Sequence, residues 1–578
     1  MRSEGRRRTP SRRQFLSGSA GLAGLAGLAA FAETRFEPGA AETATGVLVN
    51  HLGFTPWAPK SCLYAATRPL EFKVLRADTG RQVLRGRLAP VRGDLGDYAV
   101  GDFSALKQPG RYRIAAGNST SEPFEIDPTL YADPLRNCVA YFSVQRCGDS
   151  RTGYNAPCHL DDGRRTDNGR RHDATGGWHD ACDVRKWVNA TLYGMTGLSS
   201  LLDLRPAGPD PARVLDELTW GNAYFLKMQE PAGYVMDYCG GDDGNWFTDN
   251  RPGSSDDRQV QTRVCELPAQ FHFAAAQACM VRHLRGNDSD AAAACARAAR
   301  LCFRWCVGGR RNHTSTSLGA AVLACGELHR AFGEQPFEAA AADFARQLLA
   351  LQADAPVPGL FLRSQAVREP AREIMHGNLP LLALCALLER FPRHADAGTW
   401  RRALGLHVEY LVAMAGRSAF GTVPFGVYYH ADPGGGRRVG PHWYRWFMRP
   451  NGENPSSPDW WVGVNAHLAS NGIGLARAAR LINDPRLRTL AQRQLDWIIG
   501  VNPFNASTIT AVGSNQPRLF TTGEFKPVTP PIPGGVMNGL GGNENDIPVL
   551  APGSYHTCEY WTPMVAYTTV LMAELAGK

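Results

Sequence analysis

The sequence predicts a mostly α-helical protein with a small β-sandwich near its N-terminus. Three observations carry that expectation. Short β-branched and aromatic runs at even spacing are confined to Thr45–Asp127, and apolar residues recur at i, i+3, i+4 and i+7 through most of the chain after Pro128. The composition, 44% hydrophobic and 20% charged, is that of a globular chain and excludes wholesale disorder, a collagen or a coiled coil. A length of 578 residues allows several domains, although one large core can take up most of it. Fourteen Cys are too few for a disulfide scaffold of this size, yet enough for some bridges or metal ligands.

The first element in order is a leader. Met1–Ala32 has a basic head, an Ala/Gly/Leu stretch and an Ala30-Phe31-Ala32 cleavage pattern. Its apolar run is too short and too Gly-rich to span a bilayer. Ser11-Arg12-Arg13-Gln14-Phe15-Leu16 has the form of a twin-arginine signal, so the chain is expected to be exported folded to the periplasm or beyond. Six Arg and one Glu of this stretch account for five of the formal +8 charge, which leaves +3 for the rest. A body so near neutrality offers nothing to a nucleic acid, and no later run is long and apolar enough for a membrane. Residues 33–44 are then a linker.

The β-sandwich is expected over 45–127. Val47-Leu48-Val49, Ser61-Cys62-Leu63-Tyr64, Phe72-Lys73-Val74-Leu75, Tyr98-Ala99-Val100 and Tyr112-Arg113-Ile114 are its strand-like runs, parted by turns such as Asp78-Thr79-Gly80 and Gln108-Pro109-Gly110. The helical domain comes next, over 128–578, with periodic segments at Val184–Leu202, Ala269–Leu284, Thr316–Phe332, Phe337–Leu351, Pro380–Arg390, Trp400–Met414, Asn465–Leu481 and Pro563–Leu575. Between them lie long Gly/Pro/Asp/Asn-rich loops, the kind that carries function. These loops and their edges hold Trp178, Trp246, Trp443, Trp446, Trp460 and Trp561, which suit either core anchoring or stacking on sugar rings.

The sharpest motif is Gly176-Gly177-Trp178-His179-Asp180-Ala181-Cys182-Asp183, read as running directly into a helix from Val184. Two Asp at i, i+3 at such an entry project to one side, and the helix dipole would keep Asp183 ionised as a base requires. The same pair also fits an acidic first helical turn. Hydrolysis with inversion needs in addition an acid about 6.5–9.5 Å away. Glu559, in Tyr555-His556-Thr557-Cys558-Glu559-Tyr560-Trp561, sits ahead of the last helix among aromatic residues that would raise its pKa.

GGWHDACD resembles the GGWxDAGD motif of glycoside hydrolase family 9, and a β-sandwich, then the Asp motif, then a C-terminal Glu before a final helix is that family's order. The sandwich is similar to its N-terminal immunoglobulin-like domain at Val49-Asn50-His51-Leu52-Gly53-Phe54, Ala58-Pro59-Lys60 and Gly101-Asp102-Phe103-Ser104. Weaker matches are Tyr141-Phe142-Ser143-Val144-Gln145, Leu226-Lys227-Met228-Gln229 and Ile498-Ile499-Gly500-Val501-Asn502-Pro503. The resemblance implies an (α/α)6 barrel that hydrolyses β-1,4-linked glucan with inversion. It assigns Asp183 as general base, Asp180 as its partner and Glu559 as general acid; of the loop aromatics, Trp178, Trp443 and Trp561 are the substrate-binding candidates. Glu544 rivals Glu559, since Asn543 precedes it, but is stranded in a Gly-rich loop.

Cys147, Cys158, His159 and His179 form a Cys2His2 set whose chemistry suits tetrahedral, structural zinc, with free cysteines or a disulfide as the alternatives. A subset of family 9 enzymes with the immunoglobulin-like domain has a zinc of this kind, and these positions look similar. His172 is the reserve ligand. Calcium is a second cofactor candidate, without ligands that the sequence names.

Two departures from the family bear on substrate. Cys182 stands where the motif has Gly, and the sugar-contacting His-His-Arg segment is absent, the corresponding stretch reading Arg518-Leu519-Phe520-Thr521-Thr522-Gly523-Glu524. A β-glucan or a related oligosaccharide is the expected substrate, soluble or amorphous rather than crystalline, because no cellulose-binding module comes after the helical domain. The competing readings are an exo-acting glucosidase or glucosaminidase, a lyase on the same helical toroid, and a non-catalytic glycan-binding protein.

Overall fold

A computed structural model describes residues 44–149, 156–241, 248–309, 311–451, 460–520 and 531–577. The leader, all but the last residue of the linker, Trp246 and Thr521-Thr522-Gly523-Glu524 lie outside the described residues.

The N-terminal unit is built from β1 (Val47–Leu48), β2 (Gly53–Phe54), β3 (Ser61–Tyr64), β4 (Leu70–Arg76), β5 (Gln82–Val91), β6 (Tyr98–Asp102), β7 (Gly110–Ala116), β8 (Ser119–Thr120) and β9 (Phe124–Ile126). Their hydrogen-bonded order is β1-β3-β6-β5-β4-β7-β9-β2, with β8 on β7. Strand β5 joins the two layers, pairing through Gln82–Leu88 with β4 and through Leu88–Val91 with β6. Its arginines alternate with apolar residues and mostly face solvent, so it lacks the apolar run that marks its neighbours. Phe54, Phe72, Val74, Leu88, Tyr112, Ile114 and Phe124 fill the core. The Tyr112 hydroxyl donates to the Gln108 carbonyl at 2.9 Å and closes the turn ahead of β7.

The described residues of the rest form α1 (Ala132–Val144), α2 (Val188–Leu204), α3 (Pro211–Lys227), α4 (Leu267–Leu284), α5 (Ser289–Val307), α6 (Ser315–Phe332), α7 (Gln335–Ala353), α8 (Leu379–Arg390), α9 (Ala397–Ala415), α10 (Asn465–Leu481), α11 (Pro485–Ile498), α12 (Tyr555–Cys558) and α13 (Thr562–Ala576). Helices α2, α4, α6, α8, α10 and α13 pack each against the next, and α13 returns to α2, so they close a ring. Helices α1, α3, α5, α7, α9 and α11 lie outside it, which makes an (α/α)6 barrel. The inner helices are buried nearly all round, as in α13, whereas outer ones such as α5 and α11 bury one face. Because inner and outer helices alternate, the six inner helices run the same way and present their N-termini at one end.

The expected helix from Val184 begins instead at Val188, after a short strand Lys186–Trp187 that pairs with Tyr238 and Cys239. The sandwich rests on the outer part of the barrel. Asn50 Nδ2 donates to Asp496 Oδ1 at 2.8 Å, the His51 amide donates to the Ile499 carbonyl, and Tyr98 packs edge-on to Phe420. Burial pushes the Asp496 carboxyl up to about 6.

Candidate active site

The inner-helix N-termini surround an open cleft of about 1050 Å³. Trp187 and Asn189 at the start of α2, Glu266 before α4, Thr314 and Thr316 at α6, His376 before α8, Val462 before α10 and Trp561 before α13 all line it. Asp180, Asp183 and Glu559 line it too, so the structure brings the three expected carboxylates to one cleft.

The loop that carries the two Asp is folded by local constraints. Gly177 has φ +75°, and a Cβ there would stand 2.7 Å from the Tyr224 ring, so only Gly fits. The Asp180 amide donates to the Arg185 carbonyl at 2.9 Å, which closes a tight loop around Asp183. The Asp180 carbonyl accepts from the Thr562 amide and hydroxyl at 2.9 and 3.0 Å, which pins the loop to the start of α13. Val184, next to Asp183, is held at φ +48°, a strained conformation for a β-branched residue. The pair therefore sits on a loop and not at a helix entry, and no helix dipole acts on Asp183 in the way its spacing predicts. Burial, then the neighbouring Asp183 charge, pushes the Asp180 carboxyl well above the carboxylate range, and the indole N–H of Trp561, donating to Asp180 Oδ2 at 3.0 Å, opposes the shift. The Asp183 side chain is 14% exposed, with Oδ2 at 4.0 Å from the Arg185 guanidinium.

Glu559 arrives from the far end of the chain. Its Oε1 accepts from the Cys182 amide at 3.3 Å across 377 positions of sequence, and the Cys182 thiol donates to the Phe520 carbonyl at 3.2 Å. The rival Glu544 lies outside the cleft, half exposed and paired with Asn451 and Arg449.

Two aromatic expectations are corrected. Trp178 is fully buried, wedged against Phe142 and Gly221 with its indole N–H directed at Glu217, because the residue after Gly177 points into the core. Trp443 lies on strand His442–Arg445 away from the cleft, under the Arg438 guanidinium at 3.6 Å. Trp561 does line the cleft, as do Trp460 and a Trp187–Tyr238 stack at 3.8 Å. Sequence reasoning did not single out Trp187, Arg263, Glu266, Glu373 or His376, all on the cleft wall. For Glu266 a signal existed: an acidic residue directly before a Pro-containing helix start.

Behind the Asp loop, Cys147, Cys158, His159 and His179 converge. Cys147 Sγ stands 3.6 Å from His159 Nδ1, and Cys158 Sγ 3.7 Å from His179 Nε2. A tetrahedral zinc with ordinary Zn–S and Zn–N bonds separates such atoms by about 3.6 Å, so the donor set fits that ion. The hydrogen bond with Cys147, outweighing burial, brings the Cys158 thiol down to about 7. No cysteine of the described residues is in a disulfide. His172 is not part of the group, and its Nε2 meets the Lys227 carbonyl. Beneath the cluster, Asp162 pairs with Lys186 at 2.7 Å and with both Nε and Nη2 of Arg258, all three fully buried. Arg258 Nη1 donates to the Val184 carbonyl at 2.7 Å, so this network reaches the backbone beside Asp183. A second group, Asp161, Asp256 and Asp257, gathers carboxylate oxygens nearby, and the buried Asp161 Oδ2 has no hydrogen-bond partner among the described residues.

The sequence profile described as glycosyl hydrolase family 9 matches residues 131–348, and that of the cellulase N-terminal ig-like domain matches residues 42–121. Over residues 131–348 the chain belongs to glycosyl hydrolase family 9. Among curated relatives it is 30% identical to a cellodextrinase of Butyrivibrio fibrisolvens over 217 residues, 33% of this chain and 39% of the relative. It is 25% identical to endoglucanase C of Cellulomonas fimi over 87% of this chain and 47% of that one. The chain thus spans less than half the length of these relatives. A metagenome-derived family 9 endoglucanase shares the fold with TM-score 0.70 at 22% identity, covering 92% of this chain and 99% of that one. A thermostable endoglucanase of Alicyclobacillus acidocaldarius does so with TM-score 0.68 at 21% identity, covering 93% and 100%. A Zn-binding triple mutant of another family 9 endoglucanase gives TM-score 0.69 at 22% identity over 90% and 99%. No helix among the described residues of this family 9 chain is long and apolar enough to cross a membrane.

Proposed function

We propose that the chain is an exported glycoside hydrolase that cleaves β-1,4-linked glucan or related oligosaccharides with inversion. The observation that supports it best is the meeting of the Asp180–Asp183 loop with Glu559 through the Cys182 amide, in an open cleft. In this reading Asp183 takes a proton from the attacking water, and Asp180, oriented by the Trp561 indole, holds the other side of that water. Glu559, fixed at Oε1, gives its proton to the leaving glycosidic oxygen. Trp460 and Trp561 offer faces for sugar rings.

Zinc in the Cys2His2 group would be structural, since four protein ligands leave no open position. Cys147, Cys158 and His159 would then tie the start of the loop before the GGW motif to His179, next to Asp180, and no proton or bond of the reaction passes through that group. The oxygen-only group of Asp161, Asp256 and Asp257 suits calcium. Met1–Ala32 would direct export through the twin-arginine route, after metal loading in the cytoplasm.

Product anomers followed in time over a panel of β-glucans, xyloglucan and chitosan oligomers test the reading. An initial α-anomer from a β-1,4-glucan is the expected result. Retention of configuration, or unsaturated products absorbing in the ultraviolet, would overturn it.

A further inference from the structure

We propose that Glu266 is a substrate-binding carboxylate, a fixed acceptor in the cleft for a hydroxyl of a sugar unit, oriented by Asn189 and by a His376–Tyr193 pair behind it. This rests on the glycoside hydrolase reading and adds a subsite to it.

Glu266 occupies the N-cap position of α4 yet makes no capping hydrogen bond with that helix. Its carboxylate is instead turned to the cleft, where the side chain is 40% exposed. Both of its protein contacts fall on one oxygen: Asn189 Nδ2 donates to Oε1 at 2.7 Å, and His376 Nε2 stands 3.2 Å from Oε1. Oε2 has no hydrogen bond among the described residues and belongs to a side chain that lines the cleft.

The support behind Glu266 is built from two inner helices, α2 and α13, and the loop that leads into a third, α8. His376 is 4% exposed, its Nδ1 meets the Tyr193 hydroxyl of α2 at 2.8 Å, and its carbonyl accepts from the Tyr567 hydroxyl of α13 at 2.6 Å. A buried imidazole and a carboxylate together are a poor way to gain stability, because desolvation offsets most of their attraction. As a way to hold one acceptor rigid in a cleft they serve well, since orientation fixed in advance saves ordering entropy on binding. Burial opposes ionisation of Glu266, yet the charge and hydrogen bond of His376 bring it down to about 2, so at neutral pH it only accepts.

The ligand group must therefore be a donor, a hydroxyl or an ammonium. Arg185, Arg263, Arg363 and Arg372 offset the other carboxylates of the same cleft, Asp180, Asp183, Glu373 and Glu559, so no strong negative field calls for an ammonium, and a glucan chain supplies the neutral hydroxyl. Asn189 comes six positions after Asp183 and Trp187 stands between them in sequence, so the subsite adjoins the Asp loop.

Glu266→Gln in the full chain keeps shape and an acceptor for Asn189 and His376 while removing the charge. The expected result is a rise in KM of about tenfold for cello-oligosaccharides, the value of one charge-assisted hydrogen bond, with kcat and melting temperature nearly unchanged. Titration of cellotetraose into an Asp183→Asn background should weaken by the same factor. Asn189→Ala, which removes one of the two contacts on Oε1, should raise KM in the same direction by less. An unchanged KM in both variants overturns the proposal, as does a loss confined to kcat. A much larger loss on chitosan oligomers than on glucans overturns the hydroxyl in favour of an ammonium. If the parent chain neither binds nor cleaves any member of the panel, the glycoside hydrolase reading itself fails, whereas an active parent with an indifferent Glu266→Gln removes this subsite alone.

Discussion

The two ends of the barrel use the same six inner helices and treat charge in opposite ways. At the end formed by the helix C-termini, Asp203 is bonded on both oxygens, Oδ1 to Arg282 at 2.9 Å and Oδ2 to Arg330 at 2.8 Å. Glu574 is likewise saturated by Arg477 and Arg480 at 2.7 Å each, and Glu327 lies against Arg282 and Arg330. Arg282, Arg330, Arg390 and Arg480 stand in the last turns of α4, α6, α8 and α10, where cations complement the helix C-termini. At the open end, Asp180 is bonded through Oδ2 alone among the described residues, and Glu266 through Oε1 alone. A carboxylate saturated by arginines contributes to stability, whereas one fixed through a single oxygen keeps the other for a ligand.

The largest effect that tests this contrast is on the open end. Asp183→Ala and Glu559→Gln should each lower kcat by about 10³-fold or more while leaving the melting curve in place. Full activity in either would remove that residue from the chemistry. Next comes the Cys2His2 group beneath the loop. Elemental analysis should find about one zinc per chain, and stripping it should lower the melting temperature by several degrees. A metal-free preparation with an unaltered melting curve would refute the site.

At the end formed by the helix C-termini the expected order is reversed. Glu327→Gln should cost about 1–2 kcal/mol of stability, since its partners are only half-buried, and leave kcat and KM as they were. A shift in KM there would break the division of labour between the ends.

The smallest effect concerns the seat of the sandwich. The Asp496 carboxyl, raised to about 6, binds a proton more tightly folded than unfolded. The stability it contributes is fully present below its unfolded value near 4 and is lost as pH rises through about 6. Asp496→Asn should flatten that dependence and stabilise the protein at pH 7 by about 1 kcal/mol, read from melting at pH 5 and pH 7. Asp203 has the opposite sign: although burial opposes it, its bonds to Arg282 and Arg330 hold its carboxyl below the usual range, so its contribution is lost in acid.

How legible all this was in the sequence depended on whether the cause was local. All six inner helices announced themselves by period, because helices buried nearly all round need long apolar stretches. Four outer helices, α1, α3, α5 and α11, passed unnoticed among their charges, although Asp210, Asp288 and Asp484 cap the last three in the expected way. The GGWHDACD stretch was legible as a site for carboxylates but not as a loop. What separates it from a helix is Lys186, drawn into the interior by Asp162 and by the carbonyls of Ala174 and Gly176.

The order of sandwich and helical domain, the periodic helices, the Cys2His2 residue set and the carboxylates worth testing could all be read locally, because hydrophobic period and residue chemistry act over a few positions. Only the tertiary structure decided that Trp178 is core while Trp561 faces the cleft, that Glu559 and not Glu544 meets the Asp loop, and that Glu266 is aimed by His376. Each of these depends on the closing of α13 against α2 and of the ring between them. Contacts that span hundreds of residues are set by which surfaces can be buried together, and no local pattern records that choice.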